Sequence, residues 1–260
     1  MKLGESMKKN ATLSVKIIAF LGVLIFTVMP VANAMHIMEG YLSPKWCIIW
    51  GILVLPFLIK GSLNVKKVVS DDQRIKLLFA MAGAFIFILS ALKLPSFTGT
   101  SSHPTGIGLS TILFGPAITT VLGVIVLLFQ ALLLAHGGIS TLGANSFAMA
   151  VMGPLMAYGV YKILQKIKIP QNINIFFSAT VGDLFTYCIT AIQLGIDHPL
   201  EYDGIFASIE RYLGVFAITQ IPIAIAEGIL TVLIFNVIAK YSSKELGKLG
   251  ILNNSEEAEL

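Results

Sequence analysis

Between Ile107 and Ala135 the chain runs for 29 residues without one charged side chain. Continued as a single α-helix, that run would be about 43 Å long, well beyond a hydrocarbon core of about 30 Å. Apolar residues make up 56% of the sequence and charged residues 12%, with a mean hydropathy of +0.85. A chain of this kind has too little polar surface for a soluble domain, and in lipid its backbone must satisfy its own hydrogen bonds. The fold class is therefore an all-α integral membrane protein.

Charge parity divides the long run. Taken as one span, it would send Lys162, Lys166 and Lys168, after the next span, to the outside. A break at Gly115-Pro116 keeps them inside, where basic residues accumulate. The expected segments are then seven: Trp46 to Ile59 extended back through Tyr41 and Leu42, Leu77 to Leu94, a short Ile107 to Phe114, Ala117 to Leu134, Asn145 to Tyr161, Ile173 to Leu194, and Tyr212 to Ala239. The short third segment crosses the bilayer only in part and needs burial among its neighbours. With the mature N-terminus outside and the C-terminus cytoplasmic, eleven of the fourteen basic residues beyond position 34 fall inside. The exceptions are Lys45, Lys93 and Arg211. The net charge of +4 thus reads as membrane orientation rather than affinity for nucleic acid.

The beginning of the chain carries the order of a secretory signal peptide. Lys8, Lys9 and Lys16 precede the apolar run Ile17 to Val28, and Pro30, Ala32 and Ala34 follow. Whether translation starts at Met1 or Met7, cleavage is expected between Ala34 and Met35. That divides the chain into a signal peptide at 1–34, a membrane-embedded unit at 35–240 and a cytoplasmic tail at 241–260.

Cleavage there would make Met35 the first residue and His36 the second. The α-amine, the amide nitrogen of His36 and its imidazole Nδ1 can then close two small chelate rings around one divalent ion. Three nitrogens in a plane suit Ni, Co or Cu, and a fourth donor completes a tetragonal site. His103 is the candidate fourth, in a Ser/Thr/Gly/Pro loop on the same outer side, although a lone loop histidine is ordinarily just solvated. His136, in Ala-His-Gly-Gly-Ile-Ser-Thr, is read either as a gate or outer support, with Thr141 and Asn145 as partners for a ligating imidazole, or as part of a plain turn.

The remaining polar residues have plainer readings. His198, with Asp197, Glu201, Asp203 and Glu210, belongs to an acidic outer loop spanning Leu194 to Arg211. Cys47 and Cys188 form no spacing motif and read as packing residues. Asp183 and Glu227 lie inside spans, where carboxylates are costly and face the bundle interior. No pairing between them is legible in the sequence. Ala144/Ala148 and Gly153/Ala157 provide close helix contacts, ordinarily within one chain. Neither a Gly-rich nucleotide loop nor HExxH nor G-x-S-x-G is present, so energy must come from a partner.

Met35-His36-Ile37-Met38-Glu39-Gly40, His103-Pro104-Thr105-Gly106 and the stretch from His136-Gly137-Gly138 to Asn145 together resemble the CbiM/NikM family. These are substrate-capturing S-components of energy-coupling-factor transporters, and the likeness runs from Met35 to about Lys240. The resemblance implies a non-enzymatic, multi-pass protein of a prokaryotic cell membrane that binds Co(II) as transported substrate, without an organic cofactor. It implies metal ligands at Met35, His36 and His103. The implied partners are a transmembrane coupling subunit, a small accessory membrane subunit and cytoplasmic ATPase subunits, with cobalt supplied to cobalamin biosynthesis. Met38-Glu39, where nickel subunits commonly carry Pro-Asp, favours cobalt over Ni(II). The rivals of other classes are an intramembrane metalloenzyme, which would need an open coordination position and a buried base, and a passive channel.

Overall fold

The computed structural model describes residues 33–34, 36–69, 72–95 and 100–251. The expected signal peptide up to residue 32, Met35 and the last nine residues lie outside them.

Seven helical segments cross or enter the bundle: α1 (Pro44–Val69), α2 (Gln73–Ala91), α3 (Ile107–Phe114), α4 (Pro116–Leu134), α5 (Leu142–Lys166), α6 (Gln171–Asp197) and α7 (Gly204–Tyr241). Among the described residues, six are long and apolar enough to span a membrane, all but the eight-residue α3. A short α8 (Ser243–Lys248) folds back at the end where Lys248 pairs with Asp72 at 2.6 Å and Arg74 with Glu245 at 3.3 Å.

The break expected at Gly115-Pro116 is present. Gly115 adopts φ +79°, a left-handed conformation open to glycine, and Pro116 begins α4, where its missing N–H would have been unpaired anyway. Seven of the eight residues of α3 are buried, as a short non-spanning helix requires. Gly108 of α3 sits against Ala179 of α6, and Gly123 of α4 against Ala150 of α5, so closely that an added methyl would overlap its neighbour. Ala144, Ala148 and Ala157 are likewise buried within this bundle.

Several boundaries differ from the hydropathy reading, most of all at α1, which runs on from the expected Ile59 to Val69. Segment α5 starts at Leu142, before the expected Asn145, and contains a π-helical turn at Ser146–Met152. Helix α6 continues to Asp197 and α7 begins at Gly204, so the outer loop shrinks to 198–203 and Glu210 and Arg211 are helical. Hydropathy marks the lipid-immersed part of a helix, whereas backbone hydrogen bonding carries the helix on into the interface. Asp197, the last residue of α6, has a structural use: its carboxylate accepts from the N–H and hydroxyl of Ser43 at 2.7 and 2.5 Å, tying the start of α1 to the end of α6. Cys47 and Cys188 are free thiols.

Small strands complete the histidine-bearing end. They are β1 (Asn33–Ala34), β2 (Leu94–Pro95) and β3 (Thr100–Ser102), in the order β1-β3-β2, with β1 parallel to β3 and β2 antiparallel to it.

Candidate metal centre

The register of β1 against β3 pairs Asn33 with Thr100 and Ala34 with Ser101. Continued by two residues, it sets His36 opposite His103. Their ring centroids are 4.4 Å apart, and His136, at the end of α4, lies 4.6 Å from His36 and 5.1 Å from His103. One ring nitrogen from each of the three histidines lies within 4.8 Å of the others, and all three side chains are buried. An ion with bonds of about 2.1 Å sets its donors about 3.0 to 4.2 Å apart, so rotations of under about 1 Å bring these nitrogens onto one ion.

Hydrogen bonds decide which nitrogen of each ring carries a lone pair. Gln130 on α4 donates its amide to Ser90 Oγ at 2.7 Å and to the Phe87 carbonyl at 3.3 Å. Its Oε1 is thereby left to accept from His36 Nε2 at 3.3 Å, which puts the proton on Nε2 and the lone pair on Nδ1. Nδ1 is the atom a chelate with the preceding backbone nitrogens requires. In His103, Nδ1–H donates to the Pro104 carbonyl at 3.1 Å, leaving Nε2 as its donor atom. His103 Nε2 and both ring nitrogens of His136 are buried without a hydrogen-bond partner among the described residues. Buried polar groups of this kind ordinarily have a partner, and imidazole nitrogens clustered in this way are what a cation satisfies.

Burial also keeps the rings uncharged. Loss of water lowers His103 to about 4, and loss of water together with the field of His103 lowers His136 to about 3. The same burial, followed by the two neighbouring imidazoles, holds His36 well below the ordinary value. Neutral imidazole is the metal-binding form.

Thr141 and Asn145 have a different task from the one expected. Among the described residues, neither is hydrogen-bonded to an imidazole. Asn145 Oδ1 accepts from the Ile37 N–H at 2.8 Å, its Nδ2 donates to the Ile37 carbonyl at 3.0 Å, and Thr141 Oγ1 donates to that carbonyl at 2.6 Å. They fix the main chain beside His36. Gly138 makes room for the same segment, because a Cβ there would sit 2.5 Å from the Glu39 Cα, and Ser140 N–H reaches the Glu39 carboxylate at 3.1 Å.

The structure thus brings His36 and His103 together and adds His136, read in the sequence as lying outside the ligand set, to the same cluster. Gln130 and Ser90 went unnoticed. An amide within an uncharged span, one turn from its end, is the signal that marks Gln130. His198 stands apart, its Nε2 3.0 Å from the Tyr41 carbonyl.

The carboxylates of the spans also converge, contrary to the unpaired reading. Asp183 of α6 and Glu227 of α7 are both fully buried and both accept from the Thr105 N–H, at 3.1 and 2.5 Å.

A helical bundle with three buried imidazoles converging at one end defines a multi-pass membrane protein with a candidate centre for a transition metal ion. Comparison with known proteins gives the family. A family model described as the cobalt uptake substrate-specific transmembrane region, CbiM, matches residues 36–245, and the chain belongs to that family of transport proteins. It is 55% identical to the cobalt transport protein CbiM of Lachnoclostridium phytofermentans over 230 residues, 88% of this chain and 92% of that one. It is 51% identical to the CbiM of Clostridioides difficile strain R20291 over 252 residues, 96% and 97% of the two chains. Among solved structures, a truncated transition metal transporter superposes with a TM-score of 0.70 at 29% identity, covering 79% of this chain and 99% of that one. A second transition metal transporter gives 0.68 at 29% identity, with 86% and 96% covered.

Proposed function

We propose that this chain captures Co(II) as its transported substrate, with the ion held by His36, His103 and His136 and by the amine and amide nitrogens that cleavage before Met35 would free. The observation that carries the reading is the convergence of three buried imidazoles from three distant parts of the chain. The relatives named for cobalt transport support the choice of metal. Removing residues 1–34 takes away β1, but the grip of Asn145 and Thr141 on Ile37 remains to hold His36 in place. Met35 lies outside the described residues, and its part as a ligand rests on the chemistry of a free terminus.

In this reading the chain is the capture subunit of an energy-coupling-factor complex. A transmembrane coupling subunit, a small accessory membrane subunit and cytoplasmic ATPases drive release to the inside, toward cobalamin synthesis. The absence of a nucleotide-binding motif from this sequence agrees with energy supplied in trans.

The test is Co(II) titration of the purified processed protein beside a form with three residues appended before Met35. The appended form loses tight binding. Tight Co(II) binding retained with the extension would sink the amino-terminal chelate. Repeating the titration with Ni(II) separates cobalt from nickel preference.

A further inference from the structure

Two carboxylic acids buried in the bundle interior demand a reason, because each is expensive there and no cationic side chain among the described residues pairs with either. Packing two helices would need no more than a serine or an amide. What these acids grip is the loop that carries His103.

Glu227 accepts from the Thr105 N–H at 2.5 Å and from the Thr105 hydroxyl at 3.1 Å. These are the free donors just ahead of α3, where a helix favours negative charge. Asp183 shares the Thr105 N–H at 3.1 Å. The other oxygen of Asp183 accepts from Gln220 Nε2 at 2.6 Å. That Nε2 also donates to the His103 carbonyl at 3.1 Å, beside the Tyr187 hydroxyl at 2.7 Å.

Two hydrogen-bonded routes therefore run from the acid pair to His103, one through Thr105 and one through Gln220. Resting on the capture reading above, we propose that Glu227 and Asp183 are positioning residues that anchor the His103 loop to α6 and α7 and hold His103 Nε2 at the metal.

The test uses the full processed chain in detergent and reads Co(II) affinity, the visible Co(II) absorption spectrum and the unfolding temperature of the metal-free protein. Glu227→Ala is expected to weaken Co(II) roughly tenfold or more and to give the spectrum of His103→Ala. The double variant is expected to bind no more weakly than His103→Ala alone, because both changes remove one donor. Glu227→Gln, which keeps an acceptor for the Thr105 N–H, should recover most of the affinity.

Thr105→Val, in the same cycle, serves if Glu227→Ala does not fold. Additive losses in the double variant, or a wild-type spectrum for both Glu227→Ala and Thr105→Val, would overturn the proposal while leaving the capture site intact. Unchanged Co(II) binding in His103→Ala would instead bring down the capture reading and this proposal with it.

Discussion

Asn145 pairs with both polar groups of Ile37, accepting from its N–H at 2.8 Å and donating to its carbonyl at 3.0 Å, as a neighbouring strand would. The residue immediately before Ile37 is a metal-binding candidate, so a side chain on α5 sets the position of a donor more than a hundred residues away in sequence. Asn145→Ala leaves a buried N–H without its partner, a loss of about 1 to 3 kcal/mol. Expressed in Co(II) titrations, that is a drop of roughly tenfold. Thr141→Val, which spares the N–H contact, should lose less, and the reverse ranking would show that the clamp is not what holds His36.

Gln130 should matter through the tautomer of His36. Gln130→Leu removes the acceptor of the Nε2 proton and lets Nδ1 carry it instead. Changes to such partners of ligating histidines typically weaken metal binding by about 10- to 100-fold. Histidine tautomers read by NMR in the metal-free protein, beside the titration, would expose an indirect effect, because a loss of affinity with Nε2 still protonated contradicts this role.

His136 and His198 give a matched pair. Both lie near the histidine-bearing end, but only His136 turns its nitrogens into the cluster. His136→Ala should weaken Co(II) by more than the roughly 10- to 100-fold that loss of a supporting residue brings. His198→Ala should stay within about twofold. Equal effects in the two titrations would remove His136 from the site.

Acid should destabilise the metal-free fold through these same rings. In the folded chain His103 is lowered to about 4 and His136 to about 3, each by burial first, so between those values and about 6.5 the unfolded chain binds more protons. The stabilisation is complete above about pH 6.5 and is lost as pH falls toward 4. Unfolding temperature measured from pH 7.5 to pH 4.5 should decline, and His136→Ala should flatten the curve. An equally steep decline in that variant would place the sensitive group elsewhere.

The sequence by itself determined what runs of apolar residues and local backbone chemistry can determine: a helical membrane protein, a short third segment, and the break where a left-handed glycine meets a proline at 115–116. It also singled out His36, through the chelate that cleavage before Met35 would create, and His103, in a polar loop that charge parity sends to the same face. Only the tertiary structure decided that His136 is inside the cluster, that Gln130 fixes a tautomer, that Asn145 and Thr141 hold main chain rather than a ring, and that Asp183 meets Glu227. Each of these depends on side chains from different helices meeting at a few ångströms. Hydropathy reports how deep a segment lies in the bilayer but not which way a helix is turned about its axis, and rotation is settled by packing among the helices.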